Sequence, residues 1–222
     1  MPVFFVGFFL PNSILQNFFC PPLPVPLTAS IMKAVWLRKE EAMKIVHREY
    51  PLLAMCGLSC GLCTMHLGGY YPGCGGGDGN QSCAIARCGQ SHGVEFCCLC
   101  QEYPCIKYDS IDTYDSFIST RNMRANLERV QTHGPETCKA EMHEKMELLA
   151  GLLAHYNAGR QKSLFAAAVN LLPLEDLRTI REQLAAGAAE LPLKERAQAA
   201  AALLRGAADA RGIDLKPRKK PK

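Results

Sequence analysis

The sequence predicts a mostly α chain: a small irregular cysteine-rich module, then a helical C-terminal half. Three observations carry this reading. Ten of the twelve cysteines fall between Cys56 and Cys105. The same stretch is rich in glycine and poor in large apolar side chains. Beyond it, apolar residues recur at three- and four-residue steps in segments opened by proline, with no persuasive strand alternation and no β-α alternation.

Taken in order, residues 1–30 read as unstructured. Six prolines lie within the first 26 residues, no Lys or Arg precedes Lys33, and Phe19 stands before Cys20. A signal peptide needs a basic start, and lipoprotein processing needs a small residue before the cysteine, so neither signal nor anchor is expected. An upstream start-codon artefact is the expectation here, with Met32, Met43 or Met55 as alternative starts. The segment 31–54 reads as helix: Ser30 can cap it, Met32, Val35, Trp36, Met43 and Val46 share a face, and Pro51 ends it. Residues 55–108 form the cysteine-rich module, in which Pro72 and the run Gly75–Gly79 forbid long regular elements.

The region 109–213 reads as helical. A helix is expected over Ser116–Gln131, stopped near Gly134. Pro135 opens a stronger one with Met142, Met146, Leu149 and Leu153 on its buried stripe. A short helix follows over about Ser163–Leu171. Pro173 opens the next, with Leu174, Leu177, Ile180 and Leu184 inward. Pro192 opens the last, with Leu193, Ala197, Ala200 and Leu204 inward and Gly212 as the stop. These Met and Leu stripes read as core rather than as a cofactor site.

Residues 214–222 form a basic tail. Lys and Arg number 25 against 21 Asp and Glu, a formal charge of +4. Five of those basic residues lie in Lys216–Lys222; without them the chain has 20 basic and 21 acidic residues, or −1. The tail is expected to be solvated and disordered. With no globally basic face, nucleic acid is not an expected partner. The longest early apolar run, Pro2–Leu10, stops at Pro11, short of the roughly 20 residues of a spanning helix, so no membrane role is expected.

The module poses the chemical question. Its apolar side chains are few, and ordering backbone costs about 1–2 kcal/mol per residue. Clustered thiols offer disulfides or metal instead. Without a signal peptide a reducing cytoplasm is expected, and there clustered thiols act as ligands more often than as bridges. A structural zinc contributes about 10–16 kcal/mol in small modules, more than a handful of buried side chains at about 1.5–3 kcal/mol each after ordering entropy is subtracted. The module is therefore expected to be metal-stabilised.

The donor set is Cys56, Cys60, Cys63, Cys74, Cys83, Cys88, Cys97, Cys100 and Cys105. In Cys56-Gly-Leu-Ser-Cys60-Gly-Leu-Cys63 three thiols can converge on one ion, with Gly57 and Gly61 easing the backbone around it. Cys74 can supply a fourth. Cys83 and Cys88 follow, then Cys97-x-x-Cys100 with knuckle spacing, and Cys105. Two tetrahedral thiolate sites need eight donors, so ten leave a surplus, and Cys98 is the first spare. His66 and His92 could each stand in for a Cys but read as exposed loop residues. Cys20 and Cys138 read as inert, since no third group orients a Cys138–His133 or Cys138–His143 pair. No phosphate-binding loop, dinucleotide fingerprint, metalloprotease or serine-hydrolase motif occurs.

On these residues the chain resembles a family of uncharacterised cysteine-rich bacterial and archaeal proteins, domain of unknown function 3795. The matching pieces are Cys56-Gly-Leu-Ser-Cys60-Gly-Leu-Cys63, Gly73-Cys74, Cys83-Ala-Ile-Ala-Arg-Cys88, Gly93-Val-Glu-Phe-Cys97 and Cys100-Gln-Glu-Tyr-Pro-Cys105. Tyr156–Arg160 and Asn170–Leu177 are similar to its longer members. The resemblance runs from about Met55 to the C-terminus. Pro72 stands where the pattern often has a further Cys, and Cys98 is outside it. The resemblance implies metal binding and no established reaction.

Three functions compete. The favoured one is a metal-binding, zinc-carrying structural or interaction module whose helices meet a protein partner. The alternative is an iron–sulfur protein, with a 4Fe-4S cluster in electron transfer or redox chemistry. Cys56-x3-Cys60-x2-Cys63 has the spacing of radical S-adenosylmethionine enzymes, but the rest lacks an α/β barrel, and Leu62 stands where an aromatic is common. A nucleic-acid-binding zinc module is the third, opposed by the body charge. Spacing alone does not divide the thiols between sites.

Overall fold

A computed structural model describes residues 48–76, 83–188 and 190–220. The expected unstructured segment 1–30, most of the expected 31–54 helix and the end of the glycine run lie outside the described residues.

Residues 48–54, the described part of that helix segment, contain no helix and only a single turn at Pro51 and Leu52. Their backbone pairs with the module instead: Arg48 N–H donates to Gly75 O, Gly61 N–H to Leu52 O and Cys74 N–H to Pro51 O. Helices α1 (Thr64–Leu67) and α2 (Ala84–Ser91) punctuate the module, with 3-10 turns at Cys60–Leu62, Cys97–Leu99 and Ile106–Tyr108. Then come α3 (Met123–His133), α4 (Pro135–His155), α5 (Lys162–Leu171), α6 (Leu174–Gly187) and α7 (Leu193–Ala210). The protein is mostly helical, and there is no strand among the described residues.

The prolines set the helix starts. Pro135 occupies the first turn of α4, where its missing N–H costs nothing. Pro173 and Pro192 stand immediately before α6 and α7. The buried stripe of α6 is Leu174, Leu177, Ile180 and Leu184, and that of α7 includes Ala197, Ala200 and Leu204, while Leu193 is exposed. On α4, Met142, Leu149 and Leu152 point inward. Gly212 ends the run at φ 65°. The α4 helix is the hub, touching α3, α5, α6 and α7.

Three expectations give way. The helix expected over Ser116–Gln131 begins only at Met123, because Asp115 captures the groups that would start it. Its Oδ1 accepts from the Thr120 N–H at 3.0 Å and from the Ser119 hydroxyl at 3.0 Å, closing a turn that competes with helix. The basic tail is tethered as far as Arg218, while Lys216, Pro217, Lys219 and Lys220 are exposed. Arg218 N–H donates to Asp115 Oδ2 at 2.9 Å and its guanidinium to Oδ1 at 3.1 Å. Arg121 donates to the carbonyls of Asp214 and Lys216. Finally, the module does not lack a core. Leu53, Met55, Leu62, Phe96 and Tyr108 join Leu127, Leu149, Phe165 and Leu204 in one continuous cluster. At about 1.5–3 kcal/mol per fully buried side chain, the helices lend the module much of the burial that its own composition lacks.

Gly57 and Gly61 serve that shared core. A Cβ on Gly57, at φ 85°, would stand 2.1 Å from Met123 O, and one on Gly61 would stand 2.5 Å from Met146 Sδ. Their small size lets the module backbone dock on α3 and α4, a different duty from wrapping an ion.

Candidate metal centre

The same local fold occurs twice. Cys60 opens one 3-10 turn and Cys63 closes it, with Cys63 N–H donating to Cys60 O at 3.1 Å. Cys97 opens another and Cys100 closes it, with Cys100 N–H donating to Cys97 O at 3.0 Å. The closing residues share an extended backbone, φ −71°, ψ 135° for Cys63 and φ −80°, ψ 140° for Cys100. Cys-x-x-Cys on a tight turn brings both thiols of the pair to one side, the arrangement a tetrahedral thiolate site uses. A hydrogen bond from Cys97 N–H to Met55 O, 2.8 Å, ties the two halves together.

Around each turn lies a neighbourhood of further thiols. The first holds Cys56, Cys60, Cys63, Cys74 and Cys83. Burial pushes the Cys56 thiol pKa well up, and the charges of Cys60, Cys74 and Cys83 add to the rise, while the Leu58 backbone opposes it. Burial pushes Cys60 up to about 12, with Cys74 and Cys63 adding to it and the Cys74 backbone and Arg48 pulling back. The second holds Cys88, Cys97, Cys100 and Cys105. They line one cleft with His92 and Tyr108, with about 20 Å³ of free space, room for roughly one water or ion. Burial raises the Cys97 pKa; the Tyr108 hydroxyl lowers it, and Cys88, Cys105 and Cys100 raise it. Helix α2 spans the two neighbourhoods: Cys83 caps its start, accepting from Ala86 N–H, and Cys88 lies within it.

All nine thiols singled out from sequence thus fall into one neighbourhood or the other. None of the eleven described cysteines is in a disulfide. Among the described residues, no three or more His, Cys, Asp or Glu side chains close into a metal-holding set. The chemistry of the donors suits a soft ion, whereas the side chains as placed do not converge on one point.

The remaining candidates separate clearly. Cys98 is buried and lies outside both groups. Burial raises its pKa to about 11, and the charges of Cys97 and Cys138 add to the effect, so the two cysteines left over in the module and on α4 are neighbours. His66 turns its Nδ1 to Tyr71 O at 2.9 Å. His92 is exposed, yet its Nδ1 stands 3.7 Å from Cys88 Sγ and 2.8 Å from Cys88 O, at the rim of the second cleft.

Sequence reasoning missed two residues. Arg48 is wholly buried at its side chain. Its guanidinium donates to Leu53 O at 2.8 Å, Glu95 O at 3.0 Å and Glu95 Oε1 at 2.8 Å, and lies 5.2 Å from the Phe96 ring centroid. It places a fixed positive charge beside Cys60 while its Nε has no partner. Tyr108 is 2 % exposed, and its hydroxyl makes no hydrogen bond of ordinary geometry. Neither residue belongs to a cysteine motif, so no spacing signal marks them.

Comparison with protein-family models, curated proteins and solved structures gives no match. No helix among the described residues is long and apolar enough to cross a membrane.

Proposed function

We propose that this chain is a non-catalytic metal-binding protein of a reducing cytoplasm, carrying one zinc in each thiol neighbourhood and meeting a protein partner. The observation that carries the proposal is the repeated Cys-x-x-Cys turn, each with its own set of further thiols and none in a disulfide. In the first neighbourhood the ligands come from Cys56, Cys60, Cys63, Cys74 and Cys83. In the second they are Cys88, Cys97, Cys100 and Cys105. Uptake requires the thiols of each group to turn onto a common ion and to shed their protons, since only the thiolate binds. The resemblance to domain of unknown function 3795 points the same way and adds no reaction. A protein partner has footholds in Leu99 and Ile106, exposed apolar side chains at turns bordering the second group.

One observation favours an iron–sulfur reading for the first neighbourhood. Cys56, Cys60 and Cys63 have the spacing for three ligands of a cluster, and the buried Arg48 cation beside Cys60 suits a net-negative cluster. Metal and acid-labile sulfide analysis of anaerobically purified protein decides between them. The zinc reading expects about two zinc per chain, no sulfide and no visible colour. Stoichiometric iron and sulfide in a brown protein would establish the alternative, and metal-free protein with freely titrating thiols would remove both.

A further inference from the structure

The second thiol neighbourhood contains a buried hydroxyl without a hydrogen bond of ordinary geometry. Tyr108 lies in the core, held by an edge contact to Tyr103 at 5.1 Å and by the Arg124 guanidinium 5.7 Å from its ring centroid. Its hydroxyl has no hydrogen-bond partner of ordinary geometry, yet it stands close enough to Cys97 to favour that thiolate. It lines the same cleft as Cys88, Cys97, Cys100 and Cys105. Buried donors are almost always paired, so an orphan calls for an explanation. A neutral thiol is a weak acceptor and a thiolate a strong one.

We propose that Tyr108 is a positioning residue of the second metal centre, its hydroxyl donating to Cys97 Sγ when that sulfur is a metal-bound thiolate. This rests on the metal-binding reading above and deepens it. The hydroxyl fixes the direction of Cys97 and compensates its charge, as partners one step removed from a metal do elsewhere. In the metal-free protein its only nearby acceptor is a neutral thiol, which is a weak one. Tyr108 therefore has opposite effects in the two states: it costs stability without metal and adds affinity with it.

The test is Tyr108→Phe in the full chain, reduced and anaerobic, titrated with cobalt(II) as the probe. Melting is followed with and without the metal. The assignment expects metal-free Y108F to melt at or above the wild-type midpoint. One of two sites should bind cobalt about 10-fold more weakly, and its sulfur-to-cobalt absorption band should move to longer wavelength. The other site should be unchanged. Unaltered affinity and spectrum at both sites would overturn the assignment, as would equal loss of stability in both states, the mark of a merely structural side chain. Replacing Tyr108 with 3-fluorotyrosine keeps ring and hydroxyl while strengthening the donor; tighter binding and a shift to shorter wavelength are expected. Failure of the wild-type chain itself to bind cobalt would refute the underlying reading, and the assignment with it. That result is read from the wild-type arm alone.

Discussion

Burial holds the thiols of Cys56, Cys60 and Cys97 in their neutral form. Cys60 shows the consequence most directly. Its pKa rises from 9.0 to about 12, chiefly because burial disfavours the thiolate. A group whose folded pKa lies above its unfolded value stabilises the fold fully below the unfolded value and loses that contribution as pH rises toward the folded one. Metal-free protein should therefore unfold at lower urea as pH climbs from about 9 toward 12. With zinc bound the thiolates are already formed, and the same rise should have little effect up to about pH 10. Urea midpoints measured across that range, with and without zinc, check this; parallel curves would mean that metal does not engage these thiols. The two Cys-x-x-Cys turns were legible in the sequence, because cysteine spacing is a local signal. Arg48 and Tyr108 were not. Their relation to Cys60 and Cys97 is created by backbone pairing and packing, which leave no pattern in the chain.

Among elements, the helices that packing decides were read well, and the one that a side chain decides was not. The stripes of α6 and α7 follow from three- and four-residue spacing behind Pro173 and Pro192, and both bury as that spacing demands, apart from Leu193 at the exposed first turn. The start of α3 slipped to Met123 because Asp115, 1 % exposed at its side chain, holds the preceding segment in a turn and clasps Arg218. Burial opposes the Asp115 charge. The Arg218 and Thr120 N–H groups, the Arg218 guanidinium and the Ser119 hydroxyl outweigh it and hold the carboxyl well below the usual carboxylate range. Asp115→Ala should cost about 1–3 kcal/mol, the order lost when buried donors lose their acceptor, and should free the tail to tryptic cleavage after Arg218. The sign with pH follows. A lowered pKa contributes stability above the unfolded value of 3.8, lost as pH falls below it, so wild type and D115A should converge in strong acid. A tail that is cut equally fast in both proteins would contradict the clasp.

Over the whole molecule, composition misled in one respect. Counted alone, the cysteine-rich stretch has too few apolar groups to hold itself together, but Leu62, Phe96 and Tyr108 bury into the same core as Leu127, Leu149 and Phe165. A composition window cannot report burial supplied by helices as far along the chain as Lys162–Leu171, which meets the Cys60–Leu62 turn. The thiols therefore need not carry the fold of this part unaided. The two Cys-x-x-Cys turns, alike in backbone and with α2 between them in the chain, are a feature that spacing alone does not display. The most direct test of two independent centres is native mass measurement of anaerobic wild type, Cys60→Ser with Cys63→Ser, Cys97→Ser with Cys100→Ser, and the fourfold variant. The account predicts about two metal ions, one, one and none, since removing both turn cysteines leaves fewer than four thiols in either group. A wild-type chain carrying no metal, or either paired variant losing both ions at once, would contradict it.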